Sequence, residues 1–112
     1  MSVSFGGLLE STATFKTAAS ITAGKLVKMS ANGTVAACSD GDKFCGYVVS
    51  GDGSHAAVQV RGVVTVPYTG TAPSVGFASL VSDGTGVKAS NSGREHLVIS
   101  VDSTGSKVTF LI

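Results

Sequence analysis

The residues of this chain with reactive or ligating side chains are few. Cys38 and Cys45 flank SDGDKF, a spacing that raises two chemistries: metal binding by thiolates, or a thiol pair that cycles with a disulfide. A structural zinc site takes four ligands, commonly from CxxC-type pairs. The other soft donors here are His55 and His96, each expected to open a strand beside polar residues. No metal or cofactor site is expected from this set. A cross-hairpin disulfide is geometrically open, but reduced thiols are the default where no secretory leader precedes them, and cysteine also packs as a small apolar residue. In FCGYVV, Cys45 is expected to share a strand face with Tyr47 and Val49.

Nucleophilic catalysis needs a Ser or Cys beside a base that a third group orients. The chain has many serines but no GxSxG, and in GDGSH the neighbours Ser54 and His55 should point to opposite faces of a strand and so not pair. Of the acids, all but Glu10 and Glu95 stand at or beside Gly turns, where Asp serves the backbone. The glycines of GDGSHAAVQVRG precede no helix whose positive end would hold a phosphate. Arg61, alone in a valine-rich run, reads as an outward, solvated side chain. No catalytic residue is expected.

The elements that carry these residues read as strands. Val58, Val60, Val64 and Val66 alternate with Gln59, Arg61 and Thr65; Leu97, Ile99 and Val101 alternate with Val98, Ser100 and Asp102; Val108, Phe110 and Ile112 share a face. The 15 glycines are spread along the chain, and each costs about 1 kcal/mol relative to Ala inside a helix, so no long helix is expected. Asn32-Gly33 is the preferred dipeptide of a type I′ hairpin; Asp40-Gly41, Asp52-Gly53, Asp83-Gly84 and Thr104-Gly105 mark further turns. Strands are expected near 12–17, 24–30, 33–38, 43–50, 55–67, 77–82, 86–90, 95–102 and 106–112. The stretch 24–53 then reads as two hairpins, and 68–76 as the longest irregular connection. AGKLVKMSANGTVAACS echoes VGFASLVSDGTGVKAS, which two hairpins of a single barrel would explain. The expected fold is all-β: a single-domain barrel or sandwich of about eight or nine short strands over residues 12–112, preceded by a flexible N-terminal arm, residues 1–11.

Composition narrows the function. The 112 residues suit one domain. They are 43% hydrophobic but only 13% charged, about half the usual share of roughly 25%, and no apolar run approaches the ~18 residues of a spanning helix. The outer faces are therefore Ser, Thr and Gly, which lose water more cheaply than ions do and suit contact with protein. A net charge of +1 with cations scattered singly lacks the footprint of a nucleic-acid binder. MSVSFGGLLES has no basic segment followed by an apolar core, so synthesis in a cytoplasm is expected. An apolar pair, Leu8-Leu9, on an untethered arm could dock on a partner by strand addition. A sugar-binding barrel would want aromatic platforms around a concave site, and 6% aromatics without Trp argue against it.

The order of motifs, ITAGKLVKMSANGTV, then DKF followed by GYVVSGDG, then VQVRGVVTVPY and PSVGFASLV, resembles the capsid decoration (head cement) proteins of tailed bacteriophages, from about Phe15 to Val108. The resemblance implies a compact β-barrel-like domain with a free N-terminal arm. It further implies a homotrimer on the outside of the phage head that binds the major capsid protein and braces the shell against packaged DNA. It carries no catalytic residue, cofactor, membrane or nucleic-acid role. It implies capsid contacts by the arm, for which Phe5, Leu8 and Leu9 are the candidates. The alternative reading is another phage structural β-module, of tail, baseplate or fibre attachment, or a small ligand-binding β-domain.

Overall fold

The computed structural model describes residues 11–112; Phe5, Leu8 and Leu9 lie outside them. Ten strands follow in order: β1 (Ser11–Thr17), β2 (Leu26–Ala31), β3 (Thr34–Ala37), β4 (Gly46–Gly51), β5 (His55–Arg61), β6 (Val63–Thr69), β7 (Gly76–Ser82), β8 (Val87–Ala89), β9 (Arg94–Asp102) and β10 (Lys107–Leu111). The fold is all-β, and the described residues hold no helix. Ser11, expected in the arm, opens β1 and pairs with Arg61.

The strands form two closed five-stranded barrels, in the order β1-β3-β2-β4-β5 and β10-β6-β8-β7-β9. The second repeats the first strand for strand. In each, the first and third strands run parallel, β1 with β3 and β6 with β8. All other pairings are antiparallel, and the first strand closes against the fifth. The echo seen in the sequence therefore joins the β2–β3 hairpin of one barrel to the β7–β8 hairpin of the other, rather than two hairpins of one barrel. The bulges repeat too. Val49 is the extra residue between the pairs Val48↔Val58 and Ser50↔Ala57, and Ile99 is the extra residue between Val98↔Phe110 and Ser100↔Thr109. Each bulge tightens the strand twist, as closing a narrow barrel requires.

The bulge at Ile99 also shifts the phase of β9. His96 and Val98 face the core while Leu97 is exposed, and beyond the bulge Val101 packs against the core, so Leu97, Ile99 and Val101 do not form one face. The run 55–67 is two strands, because Gly62 takes φ 104°, a conformation that side chains resist. The Asn32-Gly33 turn has only Gly33 at positive φ (63°), so it is not type I′; an irregularity between Met29 and Ala31 adjusts the strand register instead. Val27, Val35, Val48, Ala56 and Val58 fill the first barrel with Ile21. Val64, Val66, Tyr68, Leu80, Val87, Val98, Val108 and Phe110 fill the second. Residues 18–25 and 38–45 are both longer connections than 70–75, and Tyr68 and Thr69 belong to β6.

Candidate functional site

CSDGDKFC is neither a hairpin nor a metal knuckle. The strand β3 pairs with β1 and β2 and not with β4, so residues 38–45 cross over, and they do so by clasping the second barrel. The backbone exchanges two bonds with β7: Gly41 N donates to Ser82 O (2.8 Å), and Ser82 N donates to Asp42 O (2.8 Å). Two ion pairs hold the loop from either side. Asp42 meets Lys28 of the first barrel at 2.6 Å, and Asp40 meets Lys88 of the second at 2.6 Å. The Lys28 ammonium and the Ser39 N–H draw the Asp42 carboxyl below its ordinary range, and Asp42 in turn raises Lys28. Phe44 then enters the second barrel's core with Leu26 and Cys38.

Both cysteines are free. Burial pushes the Cys38 thiol up to about 11 and also raises Cys45, the opposite of what a reactive thiolate needs. Neither lies in a strand. Cys45 packs against the core of the first barrel, Tyr47 packs against that of the second, and Val49 is the exposed bulge residue, so the three do not share a face.

Ser54 and His55 do meet, contrary to the strand argument: Ser54 Oγ lies 3.0 Å from His55 Nδ1. Ser54 belongs to the turn and β5 begins at His55, so strand alternation does not apply. Asp52 Oδ1 accepts from Ser54 N, His55 N (both 2.8 Å) and Ser54 Oγ (3.3 Å). Those backbone bonds hold the Asp52 carboxyl below its usual value. The order is therefore carboxylate–hydroxyl–imidazole, with the acid on the serine. In a nucleophilic triad the imidazole stands between serine and acid, oriented by the latter. Asp102 makes the corresponding turn in the second barrel, accepting from Thr104 N and Gly105 N at 3.1 Å each. The repeat marks both acids as turn-formers. The groove beside Asp52, about 360 Å³, is lined by Thr14, Ser50 and Ala57 as well as His55.

His96, expected beside polar residues at a strand start, is buried inside the second barrel. Its Nδ1 lies 3.1 Å from Leu111 O, which assigns that nitrogen the proton. Its Nε2 is buried without a partner. Burial lowers its pKa and the bond to Leu111 only partly offsets this, which favours the neutral ring. Among the described residues, no three His, Cys, Asp or Glu side chains converge to hold a metal ion. Arg61 is exposed, as expected.

No protein-family model matches the chain, and no curated protein matches it.

What the surface offers instead is apolar. Among the described residues the exposed large hydrophobics are Met29, Val49, Val75, Phe77 and Leu97, with Phe77 at 74% and Val75 at 68% of full exposure. Phe77 and Leu97 are direct cross-strand partners. Periodicity could not reveal Leu97 as a surface residue, because the bulge that reverses its face leaves no mark in an alternating run.

Proposed function

We propose that the chain is a structural virion protein that binds the outer surface of a phage head as a decoration protein and stabilises the shell against the pressure of packaged DNA. The observation that carries this reading is the distribution of side chains. Asp52, Asp83 and Asp102 are engaged in turns and Asp40 and Asp42 in the inter-barrel clasp. The strands present the apolar pair Phe77 and Leu97 outward, with single charges such as Lys16, Arg61 and Glu95 elsewhere. Interface cores are depleted of charge in the same way. The motif order that resembles the head cement proteins supplies the partner, the major capsid protein, and a trimeric state.

Phe5, Leu8 and Leu9 are proposed to dock the arm on the capsid protein, and linked sites on a trimer raise avidity by about 10²–10⁴ over one contact. A partner that binds only the expanded shell stabilises it by mass action. The test is binding to expanded heads of the matching phage, followed by heating or osmotic shock. Saturable binding with delayed DNA release is the expected result; heads that take up no protein would refute the reading.

A further inference from the structure

The internal repeat singles out one face. In the first barrel, Leu26 of β2 pairs with Tyr47 of β4, and Tyr47 pairs with Gln59 of β5. Directly opposed residues share a face of the sheet, so these three form an outward row, while their neighbours Val27, Val48 and Val58 point into the first barrel's core. The row is covered by the second barrel. Leu26 and Tyr47 pack into that barrel's cluster, and Gln59, buried, donates from Nε2 to Val63 O at 3.2 Å.

The same row exists in the second barrel. Phe77 of β7 pairs with Leu97 of β9, Leu97 with Leu111 of β10, and Leu111 with Val63 of β6. The register is equivalent, since Tyr47 and Leu97 each stand two residues before the repeated bulge residue. Strands about 4.8 Å apart place four apolar side chains in line across roughly 15 Å. Nothing in the chain's described part covers them as the second barrel covers Leu26: Phe77 and Leu97 are exposed, and Leu111 and Val63 are half-buried. A contiguous apolar patch of this kind marks an interaction site, where single exposed apolar residues would not.

We infer that the row Phe77–Leu97–Leu111–Val63 seats a second copy of this chain, in a head-to-tail contact that repeats between copies what the second barrel does to the first within one. The occupant follows from the repeat: the surface that covers the equivalent row of the first barrel is another barrel of the same chain. In the internal contact Leu26 and Tyr47 meet side chains of the other barrel that are not its row, since Phe77, Leu97, Leu111 and Val63 are absent from the cluster that takes up Leu26. Repeated between copies this joins unlike surfaces, and such contacts close into rings or run on as chains. This inference stands on the fold and does not require the capsid reading.

The test is sedimentation velocity of the full chain over a wide concentration range, beside the double variant Phe77→Ser/Leu97→Ser. Wild type should assemble into a species larger than a dimer. The variant should remain monomeric with its circular dichroism and melting temperature unchanged, since both side chains are exposed. A chain lacking residues 2–10 should assemble as wild type does. A wild type that stays monomeric, or assembly that survives the double substitution, overturns the assignment. Assembly that stops at two copies overturns the head-to-tail geometry. Assembly that disappears when residues 2–10 are removed gives the row to that segment instead. Head binding is a separate readout: a chain that assembles through the row yet ignores phage heads keeps this inference and loses the decoration reading.

Discussion

Phe44, on the loop that leaves the first barrel, stacks on His96 inside the second, with ring centroids 4.8 Å apart and planes 11° from parallel. Phe110 meets His96 edge-on at 5.3 Å and Phe44 at 5.7 Å, which completes an aromatic trio at the join. Such pairs contribute about 0.5–1.5 kcal/mol beyond the apolar area that they bury. The join is therefore a shared core, closed by one residue of the loop between β3 and β4, which the sequence suggests is part of a strand.

Replacing Phe44 by Ala should remove about 3–5 kcal/mol of stability, the usual loss for a buried aromatic ring. Phe44→Leu should lose distinctly less. Urea unfolding with an unchanged denaturant slope would measure both; a loss for Phe44→Ala within the range of ordinary surface substitutions would remove the shared core from the account.

His96 makes stability pH-dependent. Burial depresses its folded pKa below the ordinary 6.5, so the unfolded chain binds the proton first as pH falls. The stabilisation is complete above 6.5, where both states are neutral, and is lost as pH drops through the depressed folded value. His96→Phe should flatten this part of the stability–pH curve relative to wild type. Parallel curves for the two proteins would show that the imidazole is not desolvated.

Cys38, with its thiol pushed up to about 11, should alkylate far more slowly than a free thiol in the folded protein at mildly alkaline pH. Cys45 should also be slowed, and both should react fully in urea. Mass spectrometry reads the two sites separately. Rapid native labelling of Cys38 would contradict its burial.

Two glycines offer a controlled contrast. A Cβ on Gly86 would collide with the backbone carbonyl of Pro67, whereas one on Gly53 meets nothing within 4 Å and Gly53 has no positive φ. Gly86→Ala should therefore lose about 1–3 kcal/mol or more through overpacking, and Gly53→Ala should stay within about 0.5 kcal/mol of wild type. Equal thermal shifts for the two would count against the close approach of β6 to the chain before β8.

Strand identity was legible in the sequence because valine alternation and Gly turns are local signals, and nearly every expected strand has its counterpart. Pairing was not. The parallel contacts of β1 with β3 and β6 with β8 join segments whose register is set by collective packing, which no short window records. Gly62 was hidden because valines on both sides continue one alternation through the bend. Phe44 was hidden because KFCGYVVS reads as one strand from residue 43, whereas β4 begins only at Gly46 and leaves Phe44 on the loop. The signal that could have found the second barrel was the recurrence of Val48-Val49-Ser50 as Val98-Ile99-Ser100, each followed at the same distance by an aspartate that makes a turn. The Ser54–His55 contact escapes the alternation argument because Ser54 lies in the turn before β5, where strand alternation does not hold.

Gly62 alone stands between β5 and β6, and this has a mechanical consequence. A joint of a single residue has no slack to pull out, so tension applied to one barrel reaches the other at once through the clasp at Asp40, Asp42 and Phe44. Pulled from its two ends, the molecule should stretch little and then give way in one event, as a rivet does, rather than extending in two separate steps.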